Sequence, residues 1–349
     1  MLTLPRQMTA AVLYGKENVV VEQVAVPELG PGDLLVRVRV ALTCGTDVKV
    51  FRRGYHARMI VPPALFGHEL AGEVLAVGHE VTQFYAGDRV VAANSAPCGE
   101  CFYCLHCQQN LCEDLVFNNG AYAEYIRIPA RIVQRNTYRL PDSLPFADSA
   151  LVEPLACALK GVRDANVKRG DFVTVIGLGP LGSMLVKMAA LAGARVIAVG
   201  RRASQIQRAL EMGAEFGVSL EDYPAPVARV REIAQGRGVD VAIEAVGKPE
   251  CWQWAVQMLR RGGTVNFFGG CPSGTRVELE TELVHYSNLS FVASFHHTPA
   301  LVREALDIIE AGHVSASEFV NCEEPLANVP QVFAALAQQN GSLKTAIIP

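Results

Sequence analysis

Asp171–Gly182, DFVTVIGLGPLG, is the stretch whose reading decides the fold. Phe172 to Ile176 is an uncharged run rich in β-branched residues, the composition of a strand buried on both faces. Gly177, Gly179 and Gly182 follow in G-x-G-x-x-G spacing, with Pro180 and Leu181 between the last two, and Ser183–Leu191 carries helical periodicity. The first glycine allows the tight turn, the second lets backbone approach a pyrophosphate, and the third lets the helix pack closely on the strand. The helix start then offers free N–H groups and a positive dipole end to phosphate. With a strand before it and a helix after it, the motif points to a dinucleotide site. An ordinary glycine-rich turn is the plainer alternative.

Downstream of this stretch the pattern alternates strand and helix, the signature of a parallel sheet covered by helices. ARVIAVG is the second strand, and VDVAIEAVG, GGTVNFFGG and LSFVASF supply more, with helices over Ser204–Met212 and Pro249–Arg260. Upstream, MTAAVLY, NVVVEQVAV and LLVRVRVAL read as antiparallel strands, the last alternating strictly so that its arginines face one side. The segment ARIVQRNTYRLPDSLPF reads as a polar connection, and a helix from Ala156 to Val167 leads into the glycine motif. After His297 come a helix over Pro299–Ala311, a second over VPQVFAALAQQN, and a short strand in SLKTAIIP that returns to the first domain. The fold class is therefore α/β with two domains. The expected boundaries are 1–160 for the β-rich domain, 161–295 for the nucleotide domain and 296–349 for the return.

The chain has 349 residues, enough for two domains with substantial cores; half of them are hydrophobic and 19% charged. A net charge of −4 gives no reason to expect nucleic acid or an anionic membrane as partner. Met1–Glu17 has no basic segment followed by an unbroken apolar one, and the uncharged run Phe172–Val186, at 15 residues, is too short to cross a bilayer. A cytoplasmic protein is expected, with its ten cysteines serving as thiols and metal ligands rather than disulfides.

Cys98, Cys101, Cys104 and Cys112 stand as C-x2-C-x2-C-x7-C, short enough for one loop to wrap a tetrahedral ion. Four thiolates with no open position describe a closed structural zinc site. A loop of reduced thiols and an iron–sulfur cluster are the alternatives. Cys107 and His106 in the same loop read as bystanders. A second constellation, Cys44, His68, Glu69 and Glu153, is scattered in sequence, but Cys44, the His68-Glu69 pair and Glu153 each lie beside glycine or proline at a strand end. On residue types alone these are candidates for a catalytic metal or ordinary core and surface residues.

Taken in order, Cys44-Gly45-Thr46-Asp47, Gly67-His68-Glu69, the four-cysteine loop, Glu153-Pro154 and the glycine fingerprint resemble the zinc-dependent medium-chain dehydrogenases, in particular the branch of sorbitol and threonine dehydrogenases. The resemblance spans essentially the whole chain. It implies a GroES-like catalytic domain, a Rossmann domain with a doubly wound parallel sheet, and a homodimer or homotetramer. It further implies Cys44 and His68 as catalytic-zinc ligands, Glu69 as the third ligand directly or through water, and Glu153 approaching the metal from the opposite side. Asp47 would hold His68 in one tautomer, and Thr46 would pass the substrate proton outward. Where many relatives carry a relay histidine, this chain has Lys49. Phe51, Phe117 and Asn118 are pocket candidates on the same ground.

The second strand of the nucleotide domain ends at Gly200, where NAD enzymes usually place a carboxylate for the ribose hydroxyls. Gly200-Arg201-Arg202 removes that carboxylate and supplies guanidinium groups suited to a 2′-phosphate, which favours NADP over NAD. Ala245-Val246 and Phe268-Gly269 end strands at the edge where ligands bind in such sheets, and are expected to line the nicotinamide. His296 and His297 follow another strand end and suit cofactor, substrate or a neighbouring subunit. The expected function is a zinc-dependent dehydrogenase transferring hydride between a secondary hydroxyl of a polyol, sugar or cyclitol and NADP. An NAD-dependent enzyme of threonine-type or simple alcohols is the alternative. A nucleotide-binding redox sensor or structural protein is the non-enzyme alternative.

Overall fold

The computed structural model describes residues 5–56, 58–338 and 343–349. The chain divides into two compact units, Met1–Ala156 with His297–Pro349, and Cys157–His296. The crossings thus fall at Ala156/Cys157 and His296/His297, where the sequence places them at 160/161 and 295/296.

In the first unit Leu34–Leu42 is the central strand. Its burial alternates around exposed Arg37 and Arg39 before becoming continuous towards Leu42. The sheet runs Thr137–Arg139, Arg89–Ala92, Glu69–Val77, Leu34–Leu42, Lys344–Ile348, Val320–Pro325, with Tyr125–Ile128 also pairing to Leu34–Leu42. The last strand therefore lies beside a strand laid down some 300 residues earlier, with Ala346 opposite Leu42 and Ile347 opposite Ala41. A smaller sheet joins Asn18–Ala25, Gln7–Gly15 and Ala64–Leu65. Between the sheets lies an apolar core that includes Phe51, Phe66, Tyr122 and Phe333. Phe333, on the helix Val329–Gln338, stands 4.9 Å from Phe66, 5.5 Å from Tyr122 and 5.9 Å from Phe51. Aromatic pairs at such separations add about 0.5–1.5 kcal/mol each beyond the area they bury.

The second unit is a six-stranded parallel sheet in the order Phe216–Ser219, Arg195–Gly200, Phe172–Ile176, Val239–Glu244, Leu259–Phe267, Ser290–Ala293. This is the Rossmann order, reversing direction between its first and fourth strands. Every residue of Phe172–Ile176 is buried, as its uncharged, largely β-branched composition suits, and the Thr174 hydroxyl is satisfied by donating to the Ile197 carbonyl at 3.2 Å.

Some local readings need correction. The helix before the glycine motif is Val152–Asp164 and begins four residues earlier than the sequence suggests, so Glu153 sits in a helical first turn rather than at a strand end. Pro154 is tolerated there because the first N–H groups of a helix have no partner in it. The stretch read as a polar connection contains the helix Ala130–Asn136 and the strand Thr137–Arg139, anchored by buried Ile132 and Val133. Three apolar residues in seven, one of them alanine, are too few to announce a period. A helix, Gly45–Arg53, follows Cys44 directly. The expected ends of the last helix and strand reach residues 339–342, outside the described residues. No helix among the described residues is long and apolar enough to cross a membrane.

Candidate metal centres and nucleotide site

Cys44 caps the helix Gly45–Arg53, and its sulfur accepts the Thr46 backbone N–H at 3.4 Å. His68 and Glu69 open the strand Glu69–Val77. One ligand atom from each of Cys44, His68 and Glu69 lies within 4.8 Å of the other two. Behind His68, its Nδ1 is 2.9 Å from Asp47 Oδ1, which leaves Nε2 for a metal. The Tyr122 hydroxyl in turn donates to Asp47 Oδ2 at 2.6 Å. Gly67 makes this stack possible. Its φ of +90° is left-handed, and a Cβ there would stand 2.6 Å from the Tyr122 ring.

The electrostatics of this cluster call for a cation. Burial opposes protonation of His68, yet the Asp47 carboxylate and the Cys44 sulfur outweigh it and hold the imidazole well above its ordinary range. A metal ion meets the same demand and displaces the proton. Cysteine, imidazole and carboxylate are the donor types zinc takes at centres that keep one position open. The residues fit the metal.

The cysteine loop fits a closed site. Cys98, Cys101, Cys104 and Cys112 bring their sulfurs within 4.8 Å of one another. The Cys98–Cys104 and Cys101–Cys112 separations are 3.9 Å, and Cys112–Cys98 is 3.5 Å. A tetrahedron with zinc–sulfur bonds of about 2.3 Å has edges of about 3.8 Å. Backbone N–H groups of Glu100 and Cys101 pull Cys98 down to about 6, whereas burial pushes Cys104 up to about 12. Four such thiols do not all ionise without a cation among them. Arg135 pins the loop by donating to the Cys98 carbonyl at 2.9 Å. Cys107 and His106 are exposed and outside the sulfur cluster, His106 being engaged with the Phe102 carbonyl at 2.7 Å.

In the second unit, Gly177 has φ +96°, and a Cβ there would lie 2.5 Å from Val246 Cγ2. At Gly182 a Cβ would fall 1.8 Å from the Gly177 carbonyl oxygen, whereas at Gly179 it would meet open space. Two glycines thus serve packing, and the middle one leaves room beside the start of the helix Pro180–Leu191, which has no side-chain cap. That is the cradle a pyrophosphate needs. Leu181 lies in the first turn of that helix. Buried Glu244 holds the next strand end in place, accepting the N–H groups of Val246 at 2.6 Å and Gly247 at 2.9 Å. The Gly269 N–H donates to the Glu244 carbonyl at 2.7 Å, so the strand ends that lead into Ala245-Val246 and Phe268-Gly269 are held side by side. At Gly200 a Cβ would press on Leu178 Cδ1 at 2.7 Å, and the exposed Arg201 and Arg202 follow.

Glu153 is not part of the group formed by Cys44, His68 and Glu69. Its buried carboxyl, pushed up to about 7 by burial, has Oε1 3.8 Å from His297 Nε2, which also reaches Asn94 Oδ1 at 3.1 Å. Lys49 is exposed on its helix, as a solvated lysine would be. Phe51 belongs to the core rather than a pocket. Asn118 spends its side-chain amide on the Arg127 carbonyl, and Phe117 is half-buried in a short strand. Three residues escaped the sequence reading: Tyr122, three residues before the strand Tyr125–Ile128, His297's partner Asn94, and Lys344. The Lys344 ammonium is buried against both oxygens of Glu69, at 2.6 and 2.7 Å. Nothing in the local pattern of SLKTAIIP distinguishes that lysine from a surface one.

Comparison with known proteins agrees with this donor chemistry. Residues 30–142 match the alcohol dehydrogenase GroES-like domain and residues 180–311 the zinc-binding dehydrogenase domain. The sorbitol dehydrogenase of Bacillus subtilis (strain 168) is 29% identical over 99% of both chains. The L-threonine 3-dehydrogenase of Bacillus licheniformis is 33% identical over 72% of this chain and 73% of its own. A zinc-binding dehydrogenase from Sinorhizobium meliloti 1021, solved bound to NADP, superimposes with a TM-score of 0.89 at 32% identity, covering 99% of this chain and all of the other. The chain belongs to the zinc-binding dehydrogenases with a GroES-like domain, and is an oxidoreductase of that class.

Proposed function

We propose that the protein is a zinc-dependent dehydrogenase that oxidises a secondary hydroxyl of a polyol, sugar or cyclitol with NADP, giving the carbonyl compound, NADPH and a proton. The observation that carries the zinc chemistry is the convergence of Cys44, His68 and Glu69, backed by the Asp47–Tyr122 stack. Zinc at this centre supplies positive charge that lowers the pKa of a hydroxyl presented to it. Asp47 keeps His68 oriented with Nε2 towards the metal, and Tyr122 keeps Asp47 in place. Thr46, two residues after Cys44, offers a hydroxyl to take the departing proton. Glu153, carrying a proton near neutrality, stands ready as donor or acceptor beside His297.

For the cofactor, Gly177, Gly179, Pro180, Leu181 and Gly182 would hold the pyrophosphate. Arg201 and Arg202 would hold the 2′-phosphate that a carboxylate at position 200 would repel. The polyhydroxy substrate is supported by the sorbitol dehydrogenase relative, and NADP by the Sinorhizobium structure. The threonine dehydrogenase relative favours a second reading, an amino-alcohol substrate, for which we take NAD as the cofactor. The cysteine loop would hold structural zinc. We further place the protein in the cytoplasm as a homodimer or homotetramer, a state that light scattering measures directly. The test of function is a turnover screen of zinc-loaded protein on polyols, cyclitols, threonine and simple alcohols, each with NAD and NADP. Turnover of polyhydroxy compounds with NADP is expected. Activity with threonine and NAD alone would select the second reading.

A further inference from the structure

Lys344 begins the last strand, 3% exposed, and its ammonium has three hydrogens to place. Two point at Glu69 Oε1 and Oε2, at 2.7 and 2.6 Å, and the third finds the Thr43 carbonyl at 3.1 Å. Thr43 is itself fixed to the same strand, its N–H donating to the Thr345 carbonyl at 3.0 Å and its hydroxyl accepting from Thr345 N–H at 2.9 Å. The strand that carries Lys344 thus also sets the residue before Cys44. Glu69 is wholly buried, so its carboxylate has no water to turn to and stands between two cations, the ammonium and the metal. A buried ion pair of this kind gains little stability over apolar residues of the same volume, and its worth lies in what it specifies. With zinc in place, the charges of the metal, Cys44, Asp47, Glu69 and Lys344 cancel.

We propose that Lys344 is a positioning residue of the metal centre: by holding both Glu69 oxygens it weakens Glu69 as a ligand, so that an incoming neutral ligand displaces Glu69 from the metal. The proposal rests on the assignment of Cys44, His68 and Glu69 to zinc. The ammonium also lies in the field of the Cys44 sulfur, but its hydrogen bonds go to Glu69 and the Thr43 carbonyl and none to Cys44 or His68, so Glu69 is the ligand that exchanges. The exchange moves no electrons and no protons. The carboxylate leaves the metal for the ammonium as the new donor arrives.

The test uses the full chain with zinc in the cysteine loop and Co2+ at the Cys44 centre, read by visible absorption while imidazole is added at pH 8. A thiolate-to-cobalt band that disappears in Cys44→Ser establishes the centre; its absence would sink the metal assignment itself, a failure distinct from that of the proposal. With the band present, Lys344→Met is expected to weaken imidazole binding about tenfold and to slow cobalt loss to dipicolinate by a similar factor, the size of effect seen when partners of metal ligands are removed. Lys344→Arg, which keeps the cation, should restore both. Unchanged or faster cobalt loss in Lys344→Met would overturn the proposal. If Lys344→Met does not fold, Glu69→Gln and Glu69→Gln/Lys344→Met are compared, neither of which buries an unpaired carboxylate. The two should bind imidazole alike. A further loss in the double variant would show that Lys344 acts other than through Glu69, and the proposal fails.

Discussion

Asp47 and Tyr122 form a line behind His68 that fixes the imidazole before any substrate arrives. A carboxylate on Nδ1 both selects the tautomer and raises the basicity of Nε2. Asp47→Asn keeps the shape and removes the charge, so it should lower catalytic efficiency or zinc affinity by about 10–100-fold. Kinetics paired with zinc content separate those two losses, and unchanged values of both would remove Asp47 from the centre. Tyr122→Phe leaves the charge and should cost less. Glu153 makes a prediction of another kind. In the metal-free protein burial raises its pKa from 4.5 to about 7, so between those values the folded chain keeps a proton that the unfolded chain releases. Stability should therefore fall as pH rises through that window and level off above it, by a total of about 3 kcal/mol at 1.36 kcal/mol per unit. Glu153→Gln should remove about 3 kcal/mol of the fall between pH 5 and pH 8 and leave the part that His68 contributes, as urea unfolding of chelator-treated protein at the two pH values would show. An equal fall in the variant would mean the carboxyl is ionised and solvated in the folded chain.

Elements bring these residues together with unequal help from sequence. The Rossmann sheet was legible because Phe172–Ile176, buried throughout, is uncharged and rich in β-branched residues, and because Gly177 and Gly182 stand where no Cβ fits. Cys98 to Cys112 was legible as a metal-wrapping loop because all its donors are local. The contacts at the Cys44 centre were not, since Lys344 reaches Glu69 across 275 positions and Tyr122 reaches Asp47 across 75. No periodic pattern encodes such pairs; here the family resemblance supplied Cys44, His68, Glu69 and Asp47 but not Tyr122 or Lys344 behind them. The cysteine loop yields the element-scale prediction. Phe102, Leu105 and Leu111 are all exposed, so the loop has little apolar core and depends on its ion. Cys104→Ser should lose the loop's zinc, open the loop to proteases and leave metal at the Cys44 centre, as elemental analysis and limited proteolysis would report. Phe333 tests the other long-range link. Its truncation to Ala should destabilise the protein by about 3–5 kcal/mol.

At the scale of the whole molecule, the chain leaves its first unit at Ala156 and returns to it at His297, so the proposed metal ligands and the nucleotide motif belong to separately built cores. The Cys44 centre draws every neighbour described above from the first unit; the glycine turn, Gly200 and Arg201 lie wholly in the second. Damage to either set should consequently leave the other's binding intact while turnover, which needs both, is lost. Dipicolinate-treated protein is expected to lose activity yet bind NADPH, followed by nucleotide fluorescence, as the untreated protein does. Arg201→Ala should retain its full zinc content. Because a hydrogen bond to a charged group contributes about 1.5–3 kcal/mol, and Arg201 is exposed, the loss in NADPH affinity should sit near the lower end, about tenfold. NADH has no 2′-phosphate for the guanidinium to grip, and its affinity should barely change. Equal weakening of both dinucleotides would make Arg201 a general source of positive potential and return the choice of cofactor to NAD.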